Sequence, residues 1–138
     1  MISRGIAYHL DTLQSLVAQE GGTNLGAVNW MLNPPQAEII SLNALVEGRG
    51  IGTALMAKAE DFIQATGCTK ITLITSNDNL TALAFYQKRG YRIDAIFPGA
   101  IDAARRKKPS IPLIADNGIP IHDEILLAKS VGEQVSRN

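Results

Sequence analysis

The stretch Leu45-Val46-Glu47-Gly48-Arg49-Gly50-Ile51-Gly52-Thr53 joins a strand to a helix, and the chain changes character across it. Upstream, Leu13 to Glu20 reads as a strand closed by the turn dipeptide Gly21-Gly22. Leu25 to Leu32 reads as the next strand, ended at Asn33-Pro34-Pro35, because proline removes a ladder donor and favours a turn. Ala37 to Leu45 is the third. Short connections predict an antiparallel meander, and Met1 to Leu10 reads as a short edge strand. Downstream, Ile51 to Thr66 has no proline and places Ile51, Leu55, Ala59 and Phe62 at helical spacing, with Gly67 where a helix commonly ends. Lys70 to Thr75 is short and β-branched, so it reads as a strand. Asn77-Asp78-Asn79 offers helix caps, Leu80 to Arg89 is a second helix closed by Gly90, and Tyr91 to Phe97 is a strand. Pro98 to Pro120 reads as a long irregular loop, and His122 to Ser130 as a last strand. A meander followed by alternating helices and strands is a mixed α/β domain.

The bulk properties agree. The chain has 138 residues, which suits one domain spanning 1–138, and 46% of them are hydrophobic, enough for a sizeable core. A formal net charge of zero gives no whole-protein field toward nucleic acid or an anionic membrane. The single cysteine, Cys68, excludes an internal disulfide and reads as a small buried apolar group, which fits a cytoplasmic protein. Met1 to Leu10 carries Arg4 and His9 and lacks a long apolar run, so it reads as neither signal peptide nor membrane span. With two histidines, His9 and His122, and one cysteine, no metal site is expected.

Three glycines in five residues let the backbone of the turn approach a ligand closely. The helix that follows offers unpaired N–H groups and the positive end of its dipole, from Gly48 through Arg49, Gly50, Ile51 and Gly52 to Thr53. Together these suit a pyrophosphate. The plain alternative is a flexible glycine-rich cap. Two nucleotide motifs fail here. A dinucleotide fingerprint GxGxxG would need its last glycine at Thr53 or Leu55, and an acid where the next strand ends in Thr75 and Ser76. A P-loop needs glycine, lysine and a hydroxyl residue in sequence, and none is present.

The stretch from Asn79 to Tyr91 is more specific. Asn79 starts the second helix and Tyr86 follows seven residues later, about two turns, so an amide and a phenol project to one side. Taken singly, Asn79 is a plain cap and Tyr86 a half-buried aromatic beside Phe85. Taken together, the two segments resemble the GNAT acetyltransferase superfamily. Its acetyl-CoA loop is written Q/R-x-x-G-x-G/A, and its second helix often reads N-x-x-A-x-x-F-Y-x-x-x-G-F/Y. The second pattern matches at Asn79, Ala82, Phe85, Tyr86, Gly90 and Tyr91, and the first at Gly50 and Gly52. Glu47 departs from the loop pattern, and Arg49 is a possible compensation. Stretches such as Phe97-Pro98-Gly99-Ala100-Ile101-Asp102 and Lys108-Pro109-Ser110-Ile111-Pro112 resemble bacterial members.

The resemblance implies a mostly antiparallel mixed sheet with a central splay, two main helices and acetyl-CoA as co-substrate. The family normally opens with a strand and two helices that wall the acceptor site. The chain has little room for them before Leu13, which implies an open site or a wall supplied by a partner in a homodimer. The implied reaction is direct attack of a primary amine, on a small molecule or a protein, through a tetrahedral intermediate. Glu38 resembles the strand glutamate that serves as base in the histone-acetylating branch; an exposed strand residue is the alternative. The backbone N–H groups of Asn43, Ala44 and Leu45 are the implied oxyanion donors. Tyr86 is the implied acid for the CoA thiolate, near balance for a phenol of pKa about 10 against a thiol of about 8.5. Lys88 and Arg89 either reach the CoA 3′-phosphate or simply complement the helix dipole. The run Arg105-Arg106-Lys107-Lys108 either attracts an acidic group or is a solvated face. His122, Asp123 and Glu124 either line the acceptor pocket or follow strand alternation, and Trp30 and Met31 read as core or interface. Two other functions compete: a catalytically silent acyl-CoA-binding dimeric domain, and an interaction module whose turn binds nothing.

Overall fold

The computed structural model describes residues 13–132 and, for backbone only, Ile2–Ser3 and Ile6–Ala7. These two short strands, β1 (Ile2–Ser3) and β2 (Ile6–Ala7), pair antiparallel with each other, in a sheet of their own. The expected edge strand over Met1 to Leu10 is thus replaced, where residues are described, by this small ladder; the rest of that segment lies outside the described residues.

The remaining elements are β3 (Gln14–Glu20), β4 (Thr23–Asn33), β5 (Gln36–Ala44), α1 (Ile51–Ala65), β6 (Lys70–Ser76), α2 (Leu80–Lys88), β7 (Arg92–Phe97), α3 (Ala100–Lys107) and β8 (Glu124–Ser130). Six strands form a mixed, mostly antiparallel sheet in the order β3-β4-β5-β6-β8-β7. The chain falls into two compact units, one holding the described residues 13–72 and 130–132, the other the described residues 2–3, 6–7 and 73–129.

The first unit is the meander with α1 packed on β3, β4 and β5. Alternation along β4 turns Val28 and Trp30 inward, and β5 adds Ala37 and Ile39. The stripe of α1 that meets them is Leu55, Met56, Ala59 and Ile63. Phe62, expected on that stripe, is 53% exposed and instead lays its ring on Trp30 at 6.4 Å. The stripe is one residue further round because Ile63, not Phe62, follows Ala59 by a full helical turn of four. Cys68 is buried, as a small apolar group should be.

Gly26 sets the height of α1 above the meander. A Cβ there would lie 2.5 Å from the Asn43 carbonyl oxygen and 3.0 Å from a methyl of Ile51, the first residue of the helix. Only the missing side chain lets Ile51 settle on β4 opposite Ala44.

The second unit contains β1, β2, the last four residues of β6, α2, β7, α3 and β8 as far as Lys129. Its core includes Leu73, Tyr86, Tyr91, Ile101, Ile125 and Leu127. α2 starts at Asn79, whose side chain accepts the Ala82 N–H at 3.1 Å. It ends in paired bonds, Tyr91 N–H to the Tyr86 carbonyl and Gly90 N–H to the Gln87 carbonyl, that bring Tyr91 onto Tyr86. The rings meet edge-on at 5.7 Å.

The segment 98–120 is not wholly irregular: among the described residues it holds a third, shorter helix beside the two main ones. α3 was invisible to periodicity because it has eight residues, a single buried apolar residue (Ile101) and a last turn of Arg105, Arg106 and Lys107. A helix this short is marginal by itself. Tertiary partners make it: Gly99 N–H donates to Asp123 Oδ1 at 2.8 Å and Ile101 N–H to the His122 carbonyl at 2.9 Å, which occupies donors that a helix start leaves orphaned. The residues after α3 close a tight hairpin, with Ile114 bridged to Pro120 and Ile121 N–H donated to the Leu113 carbonyl.

Candidate active site

In the first unit, the glycine-rich turn is a bare helix start. Gly50 is the N-cap of α1, in the left-handed region at φ 71°, and no side chain caps the helix. The first intrahelical bond runs from Ala54 N–H to the Gly50 carbonyl at 3.0 Å, so the N–H groups of Ile51, Gly52 and Thr53 precede the ladder. No acidic residue stands in the first turn, and nothing lies within 4 Å of a Cβ built on Gly48 or Gly50. Glu47 is exposed and lies ahead of the helix. These are the features an anion needs: free donors, the positive dipole end and clear approach. Arg49 does not stand free beside them, because its guanidinium pairs with Glu20 at 2.8 Å, with both side chains largely exposed.

β5 leads into this turn and carries the other expected residues of the unit. Leu45 N–H is donated to the Leu25 carbonyl at 2.8 Å, so it is spent within the β4–β5 ladder and is removed from the oxyanion donors. Ala27 faces Asn43 and Gly26 faces Ala44. Antiparallel strands alternate their donors, so Asn43 points its N–H the same way as Leu45, toward β4, and Ala44 points its N–H away. Of the three expected donors, Ala44 alone points its N–H away from β4. Glu38 is half-buried on β5 opposite Met31.

In the second unit, Asn79 is committed to its cap, and Tyr86 is buried, with its ring edge-on to Phe85 at 5.0 Å as well as to Tyr91. No partner among the described residues holds the Tyr86 hydroxyl. Burial alone pushes this phenol up to about 12. Lys88 is exposed in the last turn of α2, where it complements the dipole; the Arg89 side chain after it is half-buried.

The same unit assembles a constellation that the sequence leaves scattered. His122 Nδ1 lies 3.0 Å from both carboxylate oxygens of Asp102, on the first turn of α3. Arg105, one turn further, donates to Asp102 Oδ1 at 2.8 Å and to the carbonyls of Ile111, Pro112 and Ile121. Its side chain is only 14% exposed. Arg105 therefore leaves the basic run and becomes an internal tie, while Arg106, Lys107 and Lys108 stay exposed. The His122 hydrogen bond, with help from Arg105 and against partial desolvation, holds the Asp102 carboxyl below the usual carboxylate range. Asn77 fastens the strand end. Its Oδ1 accepts the N–H groups of His122 and Asp123, both at 2.9 Å, and its side-chain amide donates to the Pro120 carbonyl. In the sequence His122 and the basic run stand apart. Nothing in spacing joins positions 20 residues apart across a helix and a hairpin.

Among the described residues no helix is long and apolar enough to cross a membrane. Residues 4–91 match the model of the acetyltransferase (GNAT) family. The protein YdhI of Bacillus subtilis strain 168 is 47% identical over 131 residues, covering 94% of this chain and 81% of that protein. The IAA acetyltransferase of Bacillus cereus ATCC 14579 superposes with a TM-score of 0.76 at 29% identity, over 88% of this chain and 80% of that one. A Bacillus subtilis acetyltransferase solved in complex with CoA shares the fold at a TM-score of 0.76 and 24% identity, over 88% of this chain and 79% of that one. The bare helix start after the glycine turn and α2 both lie within the residues that the family model matches. The chain belongs to the GNAT acetyltransferase family.

Proposed function

We propose that the chain works as one acetyl-CoA-dependent domain, a cytoplasmic N-acetyltransferase that moves an acetyl group onto a primary amine. The observation that carries the proposal is the start of α1: a left-handed glycine cap, free N–H groups, no side-chain cap and no acid in the first turn. In this reading Gly48 to Thr53 receive the CoA pyrophosphate through backbone donors, so Glu47 costs little and the ion pair of Arg49 with Glu20 need not break. Asn79, Lys88 and Arg89 contribute through α2, the two cations toward the 3′-phosphate.

The chemistry is direct transfer. A neutral amine attacks the thioester carbon, the N–C bond forms, and the oxyanion takes a hydrogen bond from Ala44 N–H. The C–S bond then breaks and the thiolate leaves. A phenol held at about 12 is a poorer acid than the sequence implied. Full transfer to a thiolate of conjugate pKa about 8.5 would be uphill by about 5 kcal/mol. Tyr86 is therefore assigned a hydrogen-bonding role: it keeps its proton and donates to the departing sulfur. The proton that ends on CoA comes from the attacking nitrogen. A homodimer belongs to the same reading, since Ile93 and Ile96 on β7 are exposed apolar residues; a monomeric mass at micromolar concentration would remove it.

Two measurements test the proposal. Saturating acetyl-CoA raises the melting temperature, and an absence of any shift sinks every CoA reading. Release of free thiol across a panel of amines separates the transferase from a silent acyl-CoA-binding domain, which would be stabilised but release none. Tyr86→Phe lowers turnover by about 10²-fold with acetyl-CoA affinity nearly unchanged; equal turnover removes Tyr86 from the reaction.

A further inference from the structure

The Asp102–His122 pair has the geometry of an oriented base. A carboxylate only accepts hydrogen bonds, so the proton of a neutral His122 sits on Nδ1, facing Asp102. Nε2 then carries the lone pair. Nε2 makes no hydrogen bond among the described residues, and the His122 side chain is 53% exposed. Asp102 is fixed in turn by Arg105, which three backbone carbonyls hold in place. The strand end that carries His122 is clamped by Asn77, two residues before the cap of the helix that bears Tyr86. Of the charged groups on α3, Asp102 meets the imidazole, Arg105 bonds to Asp102, and Arg106 and Lys107 are exposed; Asp123 is next to His122 in the chain. Asp123 is engaged by Gly99 N–H, so Asp102 alone orients the ring.

We infer that His122 is the general base that deprotonates the acceptor amine, with Asp102 as its positioning residue. The inference rests on the acetyltransferase reading. The acceptor arrives as an ammonium. His122 Nε2 takes one proton, and the imidazolium is held by the Asp102 carboxylate. The freed lone pair attacks the thioester carbon. As the tetrahedral intermediate collapses, the C–S bonding pair leaves with sulfur. The second nitrogen proton passes to the thiolate, and His122 returns its proton to solvent. No oxidant or metal is needed for the balance.

The test uses the full chain and acetyl-CoA. Acceptors are an amino-acid amide, a tripeptide, a linear polyamine and an aminoglycoside. Free thiol is read from acid to alkaline pH. For an accepted amine, His122→Gln lowers kcat/KM near neutrality on the order of 10²-fold and abolishes the acidic limb of the profile. The loss shrinks at alkaline pH, where the amine deprotonates without help. Asp102→Asn lowers kcat/KM less and retains that limb. Stabilisation by acetyl-CoA is kept in both variants, which shows that they fold. A His122→Gln profile that superimposes on the wild type overturns the inference, and so does a loss that follows Glu38→Gln instead. A second readout needs no acceptor. The 15N spectrum of the His122 imidazole, assigned by its absence in His122→Gln, shows protonated Nδ1 and bare Nε2, and Asp102→Ala mixes the tautomers. A wild-type ring protonated on Nε2 overturns the inference whatever amine is used. Wild type that fails to bind acetyl-CoA removes the acetyltransferase reading itself. Wild type that binds acetyl-CoA and turns over no amine overturns the base and leaves a binding domain.

Discussion

Two regions of this chain solve the same problem, holding a loop in position at a helix start, in opposite ways. The turn from Glu47 to Gly52 leaves the start of α1 bare, with a glycine cap and no side-chain partner. The segment from Gly99 to Asp123 leaves almost nothing bare: Asp123 and the His122 carbonyl occupy the start of α3, and Arg105 bonds to Asp102 and to three carbonyls. An unfilled helix start is a binding surface, because its donors await an anion. A filled one is a mounting, because its donors are already satisfied and what it presents is a side chain. In this molecule the first kind of start faces a phosphate in our proposal, and the second holds an imidazole.

The contrast can be broken by substitutions. Arg105→Ala should have the largest effect, about 2–4 kcal/mol in urea unfolding, because a mostly buried guanidinium and the groups bonded to it lose their partners together. Arg105→Lys should recover little of it, since a point charge cannot span four acceptors. A cost below about 1 kcal/mol would mean that the segment is not mounted on Arg105. Tyr86 comes next. Its phenol is raised from 10.0 to about 12 in the folded chain, so the unfolded chain deprotonates first as pH climbs. Its contribution is fully present below pH 10 and declines as pH rises toward 12, by about 3 kcal/mol in all. Tyr86→Phe should remove that decline, as denaturant titrations at pH 8 and pH 11 would reveal; an identical alkaline loss in the variant would argue against a buried, unpartnered phenol.

Smaller effects belong to the bare turn. Gly50→Ala places a Cβ at φ 71°, so it should cost about 1–2 kcal/mol with no clash, and it should weaken acetyl-CoA stabilisation as the helix start shifts. Arg49→Ala should be the smallest, within about 0.5 kcal/mol, because its ion pair with Glu20 is exposed and salt-screened. A large loss of acetyl-CoA binding in Arg49→Ala would show that the turn relies on a side chain after all, and the contrast between the two regions would narrow.

Much of this was legible from residue order. The presence and order of β3 through β8, α1 and α2 follow from hydrophobic period, turn dipeptides and caps, which are local, and their ends fall within two residues of those expected. Asn79 announced its cap, and Gly50 its position before a helix. Three features were not legible. α3 has too little periodic apolar content to be seen, and it exists because residues 122 and 123 complete its first turn. Leu45 looked like a free donor, but pairing with Leu25 consumes its N–H. Gly26 gave no sign that a single Cβ there would meet the Asn43 carbonyl and Ile51.

Residue order by itself determined the family, the order of β3 to β8 with α1 and α2, and the glycine turn, because each depends on neighbours within a few turns of chain. Tertiary structure alone decided which polar groups remain available. Hydrogen-bond capacity is spent between residues far apart in sequence, so only the folded chain shows that Leu45 gives its N–H to Leu25, that Arg105 is an internal tie, and that His122 stands against Asp102.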